Sequence, residues 1–257
     1  MTRIITGTLL ALLLPFAAQA QQLEKQVFAK QDATVRLSYA SRPGVCGGSN
    51  GNISMSDGED ERDGWASDCE KGPVRVAITL KQGVVTQLTT RVGGHWLPRS
   101  GVTDLGTVPA PAASQLMLDI ARKGGKAAED AILPAMLADS VTIWPDLIKL
   151  ARNPSAATDV RKSAVFWVSQ AAAVAATQGL AEVVGDAAVN RDVRESAVFA
   201  LSQRPNDEGV PVLLATARSD NDAKIRKSAI FWLGQSDDPR ALAFFEEVLA
   251  RGPSPSH

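Results

Sequence analysis

The sequence predicts a mainly α chain. A C-terminal α-solenoid of stacked helix pairs follows a small, disulfide-containing antiparallel β module. Three observations carry this expectation. An eight-residue pattern returns in register as Val160-Arg-Lys-Ser-Ala-Val-Phe-Trp167, Val193-Arg-Glu-Ser-Ala-Val-Phe-Ala200 and Ile225-Arg-Lys-Ser-Ala-Ile-Phe-Trp232, at offsets of 33 and 32 residues. Apolar residues alternate with period two up to about Gly106 and recur at helical spacing beyond it. Both cysteines, Cys46 and Cys69, fall in the period-two part.

Composition narrows the function. The chain has 257 residues, 45 % hydrophobic and 21 % charged, the balance of a globular protein. Lys and Arg number 27 against 28 Asp and Glu, a net charge of −1, so no footprint for sequence-independent nucleic-acid binding exists. Two His and two Cys exclude zinc fingers, multi-His metal centres and most Cys/His catalysis. No metal or cofactor is implied.

In chain order, residues 1–20 read as a cleaved signal peptide. Arg3 supplies a positive start, an apolar run extends from Ile4 to Phe16, and Ala18-Gln19-Ala20 offers small residues for cleavage before Gln21. The run is shorter than the ~20 residues a membrane anchor needs. No Cys follows the cleavage point for lipid attachment. The expectation is a periplasmic or secreted protein, with no membrane insertion of the mature chain. An oxidising compartment pairs an even cysteine count, so Cys46 and Cys69 are expected to form a structural disulfide. A redox-active pair is the alternative, without a Cys-x-x-Cys spacing to support it.

Residues 21–106 read as the β module. Ala33–Tyr39, Val74–Leu80 and Val84–Val92 alternate apolar and polar residues, and Lys81-Gln82-Gly83 is a hairpin connection. The disulfide loop is inserted between the first strand and that hairpin. Residues 107–125 form a linker and first helix. Thr107–Ala112 marks the composition shift, and a helix over Ala113–Arg122 stops at Gly124-Gly125.

Residues 126–257 read as about four helix pairs, with a weaker first copy at Ala131-Ile-Leu133. Val160, Ala164, Trp167 and Val168 fall at i, i+4, i+7 and i+8, as do Val193, Ala197, Ala200, Leu201 and Ile225, Ala229, Trp232, Leu233. The second helices carry Leu147/Ala151, Leu180/Val184, Leu213/Ala217 and Phe245/Leu249. One pair cannot bury both stripes alone; stacked pairs can. This Asp-x-Val-Arg-x-x-Ala-x-x-x-Leu kind of pattern resembles HEAT repeats of the short bacterial type, which also occur in phycobilin lyases. The whole chain resembles exported bacterial HEAT-repeat proteins of unassigned function, with a disulfide-containing β module before the repeats. The resemblance implies the fold and a binding-module habit, and no activity.

Candidate sites follow. Second helices of HEAT pairs usually line the binding surface, so the resemblance points to the outward column Lys149, Glu182, Ala215 and Glu247 for a protein or peptide partner. Its mixed charge predicts no strongly charged ligand. Arg161, Arg194 and Arg226 read as structural, tied to Asp159, Asp192 and Asp222 near the helix starts. Phe166, Trp167, Phe199, Phe231 and Trp232 read as core, because a ligand site rarely repeats in every copy. Trp65 and Trp96 are candidates for stacking on sugar rings, against a plain core role. The acidic run Asp57–Asp63 reads as a solvated loop, with Ca²⁺ binding or glycoside hydrolysis as alternatives. His95 alone makes neither a metal site nor a triad, and no catalytic motif is present. The leading expectation is a monomeric, exported, non-catalytic interaction scaffold. Envelope ligand binding by the β module and a hydrolase are the alternatives.

Overall fold

The computed structural model describes residues 16–48, 50–55, 59–60, 65–66, 69–171 and 173–250. Residues 1–15 of the expected signal peptide lie outside the described residues, as does most of the acidic run.

The first described element differs from the expected alternation. Helix α1 runs Phe16–Val27, across the expected cleavage point. Ala20, Leu23 and Val27 fall on one helical face and are buried. Gln21–Val27 therefore belongs to a helix and not to the period-two segment.

Strand β1 (Ala33–Tyr39) leads into the disulfide loop, which holds the two-residue strands β2 (Cys46–Gly47), β3 (Ile53–Ser54), β4 (Glu59–Asp60), β5 (Trp65–Ala66) and β6 (Glu70–Lys71). The disulfide joins Cys46 to Cys69, with 5.2 Å between their Cα atoms. β7 (Val74–Lys81) and β8 (Val84–Val92) form the expected hairpin. Gln82 and Gly83 both have positive φ, 52° and 74°, which matches the twist of the strands a two-residue turn must join. The main sheet has the order β8-β7-β1-β9. It is antiparallel from β8 to β1, and β9 (Val102–Thr107) adds a parallel edge beside β1. Sequence alternation misses β9 because its residues bury little.

One apolar core runs from this sheet into the helices. Helix α2 (Ala110–Lys123) begins with Pro109 and Pro111, where no amide is required, and ends at Gly124 and Gly125, both with positive φ. Helix α3 is Ile132–Leu137. Tyr39 donates from its hydroxyl to the Pro134 carbonyl at 2.7 Å. Burial pushes that phenol well above its ordinary value, so the hydroxyl stays a donor. Arg42 N donates to Leu137 O and Asp139 N to Ala40 O, which stitches the module to α3.

The remaining helices are α4 (Trp144–Arg152), α5 (Thr158–Ser169), α6 (Val174–Gly185), α7 (Arg191–Ser202), α8 (Val210–Ser219), α9 (Ala223–Leu233) and α10 (Pro239–Ala250). With α3 they form four pairs among the described residues. First helices α3, α5, α7 and α9 pack on one another in sequence, and second helices α4, α6, α8 and α10 do likewise. The expected first-helix stripes are buried, with Trp167 and Trp232 half-buried at their edge. Leu147, Ala151, Leu180, Val184, Leu213 and Ala217 are buried as expected. The last second helix is different: α10 buries Ala241 and Phe244, Phe245 is half-buried, and Leu249 is 80 % exposed.

Candidate functional site

The repeated arginines are structural, by contacts other than those expected. Arg161 donates from Nε to the Ala151 carbonyl at 2.7 Å, and Arg194 from Nε to the Val184 carbonyl at 2.7 Å. Arg226 donates to the Asp220 carbonyl at 2.6 Å. Each therefore satisfies a carbonyl at the end of the preceding second helix, where the α-helical ladder leaves acceptors unused. Of the three aspartates expected to bind them, Asp222 serves other donors. Asp222 caps α9 through the Lys224 amide and accepts from Arg191 at 2.6 Å, while Arg194 pairs with Asp220. A fourth arginine carried no repeat signal. Arg204 is buried and donates to the Ser169 and Ala173 carbonyls at 3.1 Å each and to Glu208 at 2.9 Å, which clasps the α5–α6 turn.

The second-helix column is laced by ion pairs. Lys149 faces Asp146 at 3.4 Å, Glu182 faces Arg152 at 3.3 Å, and Glu247 faces Arg218 at 2.8 Å. Ala215 lies exposed between them. Two of these pairs join successive second helices, so the charges predicted for a partner also hold the layer together.

The first-helix face carries a row of exposed phenylalanines. The expected core placement of the phenylalanines does not hold. Phe166 is 48 %, Phe199 39 % and Phe231 57 % exposed, one from each of α5, α7 and α9. They lie one position before the buried edge of the stripe, so the helix turns their rings outward. Their neighbours pack inward: Phe166 meets Trp167 edge-on at 5.1 Å, and Phe231 meets Trp232 at 5.0 Å. Trp232 also reaches back across the junction to Phe199, at 4.9 Å. Between α5 and α7 lies a recess of about 360 Å³ walled by Phe166, Phe199, Ala200, Ser163 and Ser196. Comparing the three copies would have found it, since Ala200 stands where the others have Trp.

The β module has a cleft of about 640 Å³. Its wall includes Arg75, Arg91, Glu70, His95, Trp96 and the Gly47–Gly48 backbone. Gly47 has to be glycine, because a Cβ there would fall 2.2 Å from the Val92 carbonyl oxygen. The Gly93–Gly94 turn is clamped: Arg75 Nε donates to both carbonyls at 2.9 Å, and the Gly94 amide donates to Glu70 at 2.9 Å. Arg36 lies over the Trp96 ring, 4.5 Å from its centre. Trp96 Nε1 is buried and has no acceptor among the described residues. The Trp65 side chain lies outside what the structure describes, as do the side chains of Asp57–Asp63. The sugar-stacking pair is therefore represented by Trp96 alone.

Residues 177–256 match the family model of HEAT repeats. No curated protein and no solved structure matches the chain. Over that stretch, from within α6 through α10, the chain is similar to HEAT repeats. No helix among the described residues is long and apolar enough to cross a membrane.

Proposed function

We propose, from a chain that carries HEAT repeats behind a disulfide-stapled β module, that this is an exported, non-catalytic scaffold that binds a partner protein on the first-helix face of its solenoid. HEAT repeats in general serve protein interaction. The observation that carries the choice of face is the exposed row Phe166, Phe199 and Phe231, in register on three successive first helices. Aromatic side chains are the residue type that most often anchors an interface, and a pre-formed surface avoids ordering cost on binding. The second-helix column Lys149, Glu182, Ala215 and Glu247 is the less favoured face. Its charges are largely satisfied within the chain.

The test is photo-crosslinking from envelope extract with residues 21–257 as bait. One probe sits at Lys227 beside the phenylalanine row, one at Lys149 and one at His95. A single protein captured from Lys227, and lost when Phe199 and Phe231 are both changed to Ser, is the expected outcome. Capture from Lys149 alone would transfer the role to the second-helix column.

A second reading has its own observation. The β-module cleft is lined by Trp96, Arg75 and Arg91, and the buried Trp96 indole N–H has no acceptor among the described residues, which suits a small ligand with an acceptor group. Capture from neither helical probe, with a small molecule quenching Trp96 fluorescence, would favour it.

A further inference from the structure

We propose that the recess at Ala200 is a socket for an aromatic side chain of the partner, flanked in that partner by a basic residue. The inference rests on the first-helix face being the docking face. It starts from the chain's own repeat. At the α7–α9 junction the Trp232 ring packs 4.9 Å from Phe199 and 5.0 Å from Phe231. One repeat earlier, the same register sets residue 200 against Phe166. There the side chain is a methyl group, and the recess of about 360 Å³ occupies the place of the missing ring. The molecule thus displays, one junction away, the kind of group that fills such a gap. Two phenyl walls favour an aromatic occupant over an aliphatic one, because edge-on ring contacts add to area burial.

The rim supplies the second term. Glu129, Asp159 and Lys162 border the recess. Two carboxylates against one ammonium leave the rim negative, and none of the three forms an ion pair among the described residues. A cation next to the inserted ring complements that rim.

The test uses residues 21–257 and three acetylated, amidated tripeptides: lysine–tryptophan–lysine, lysine–alanine–lysine and glutamate–tryptophan–glutamate. Binding is read from the Ser196 backbone amide signal, a wall residue that every variant keeps, by NMR. The first peptide is expected to saturate the shift, the second to leave it unmoved, and the third to bind at least about threefold more weakly. Ala200→Trp fills the socket from within; it is expected to abolish the first peptide's binding and to keep or raise Tm. Should that variant fail to fold, Phe166→Ala removes a wall and is expected to weaken binding at least about tenfold. No saturable shift, equal binding of the tryptophan and alanine peptides, or binding that survives both substitutions would overturn the socket. Crosslinking separates the two ideas. A partner captured undiminished by Ala200→Trp keeps the docking face and discards the socket. Peptide binding at Ala200 without any capture from Lys227 keeps the socket chemistry and discards the docking face.

Discussion

Arg161 and Arg194 occupy the same repeat position and meet different fates. Both give Nε to a carbonyl of the preceding helix. Arg194 also pairs with Asp220, and both side chains are nearly buried, at 8 % and 9 % exposure. Asp220 lies 26 residues after Arg194, and the residue 26 after Arg161 is Ala187. A terminal nitrogen of Arg161 is accordingly buried with no acceptor among the described residues, and burial lowers its proton affinity. Ala187→Asp should supply the missing carboxylate. The gain expected is about 1–2 kcal/mol, with a Tm rise of roughly 2–8 °C. An unchanged or lower Tm by calorimetry would mean that the exposed loop at 187 cannot deliver the carboxylate.

At the scale of elements, the helices differ by what their inner faces meet. First helices bury small residues such as Ala164, Ala197 and Ala229, which lets neighbouring first helices approach closely. Their phenylalanines, one step round the helix, are left outside. The contact between α7 and the start of α8 is tighter still. A Cβ on Gly209 would lie 1.9 Å from the Leu201 carbonyl oxygen, and its φ of −80° is ordinary, so the restriction is space and not conformation. Gly209→Ala is expected to cost about 1–3 kcal/mol by forcing the two helices apart. Gly185→Ala is the control, since a Cβ there meets nothing within 4 Å. It should be neutral or slightly stabilising. Equal urea midpoints for the two variants would contradict this account of the junction.

For the whole molecule, carboxylates tie neighbouring repeats together. The Arg191 guanidinium and the Lys224 amide hold Asp222 below its ordinary 3.8. The Ala188 amide and then Arg152 do the same for Asp186. Arg204 and the Thr177 hydroxyl hold Glu208 below 4.5. A carboxylate whose folded pKa is depressed contributes stability that is fully present above its unfolded value. That contribution is lost as pH falls through the folded pKa. Tm should therefore be level near neutrality and fall as pH drops below the ordinary carboxylate range. In an Asp222→Asn, Glu208→Gln double variant the fall should be shallower and the neutral Tm lower. Parallel pH profiles would show that these contacts do not couple the repeats.

Much of this architecture was legible in the chain itself. Three copies of one octapeptide determined the helix pairs, because a stripe at helical spacing has to be buried and only stacked neighbours can bury it. Alternation determined β1, β7 and β8, and the short Gly-containing connection Lys81-Gln82-Gly83 determined the β7–β8 hairpin. The cysteine pair was legible from count and context. What the tertiary structure decided was orientation and company. It turned the phenylalanines out, and it gave the arginines helix-end carbonyls as partners. It placed Arg204 under the α5–α6 turn, joined α1 and β9 to the module, and left Ala200 beside an open junction. A periodic pattern states which side of a helix is apolar to within about a turn. It does not state how closely two helices approach, and that spacing determines whether a ring at the edge of the stripe is covered or left for a partner.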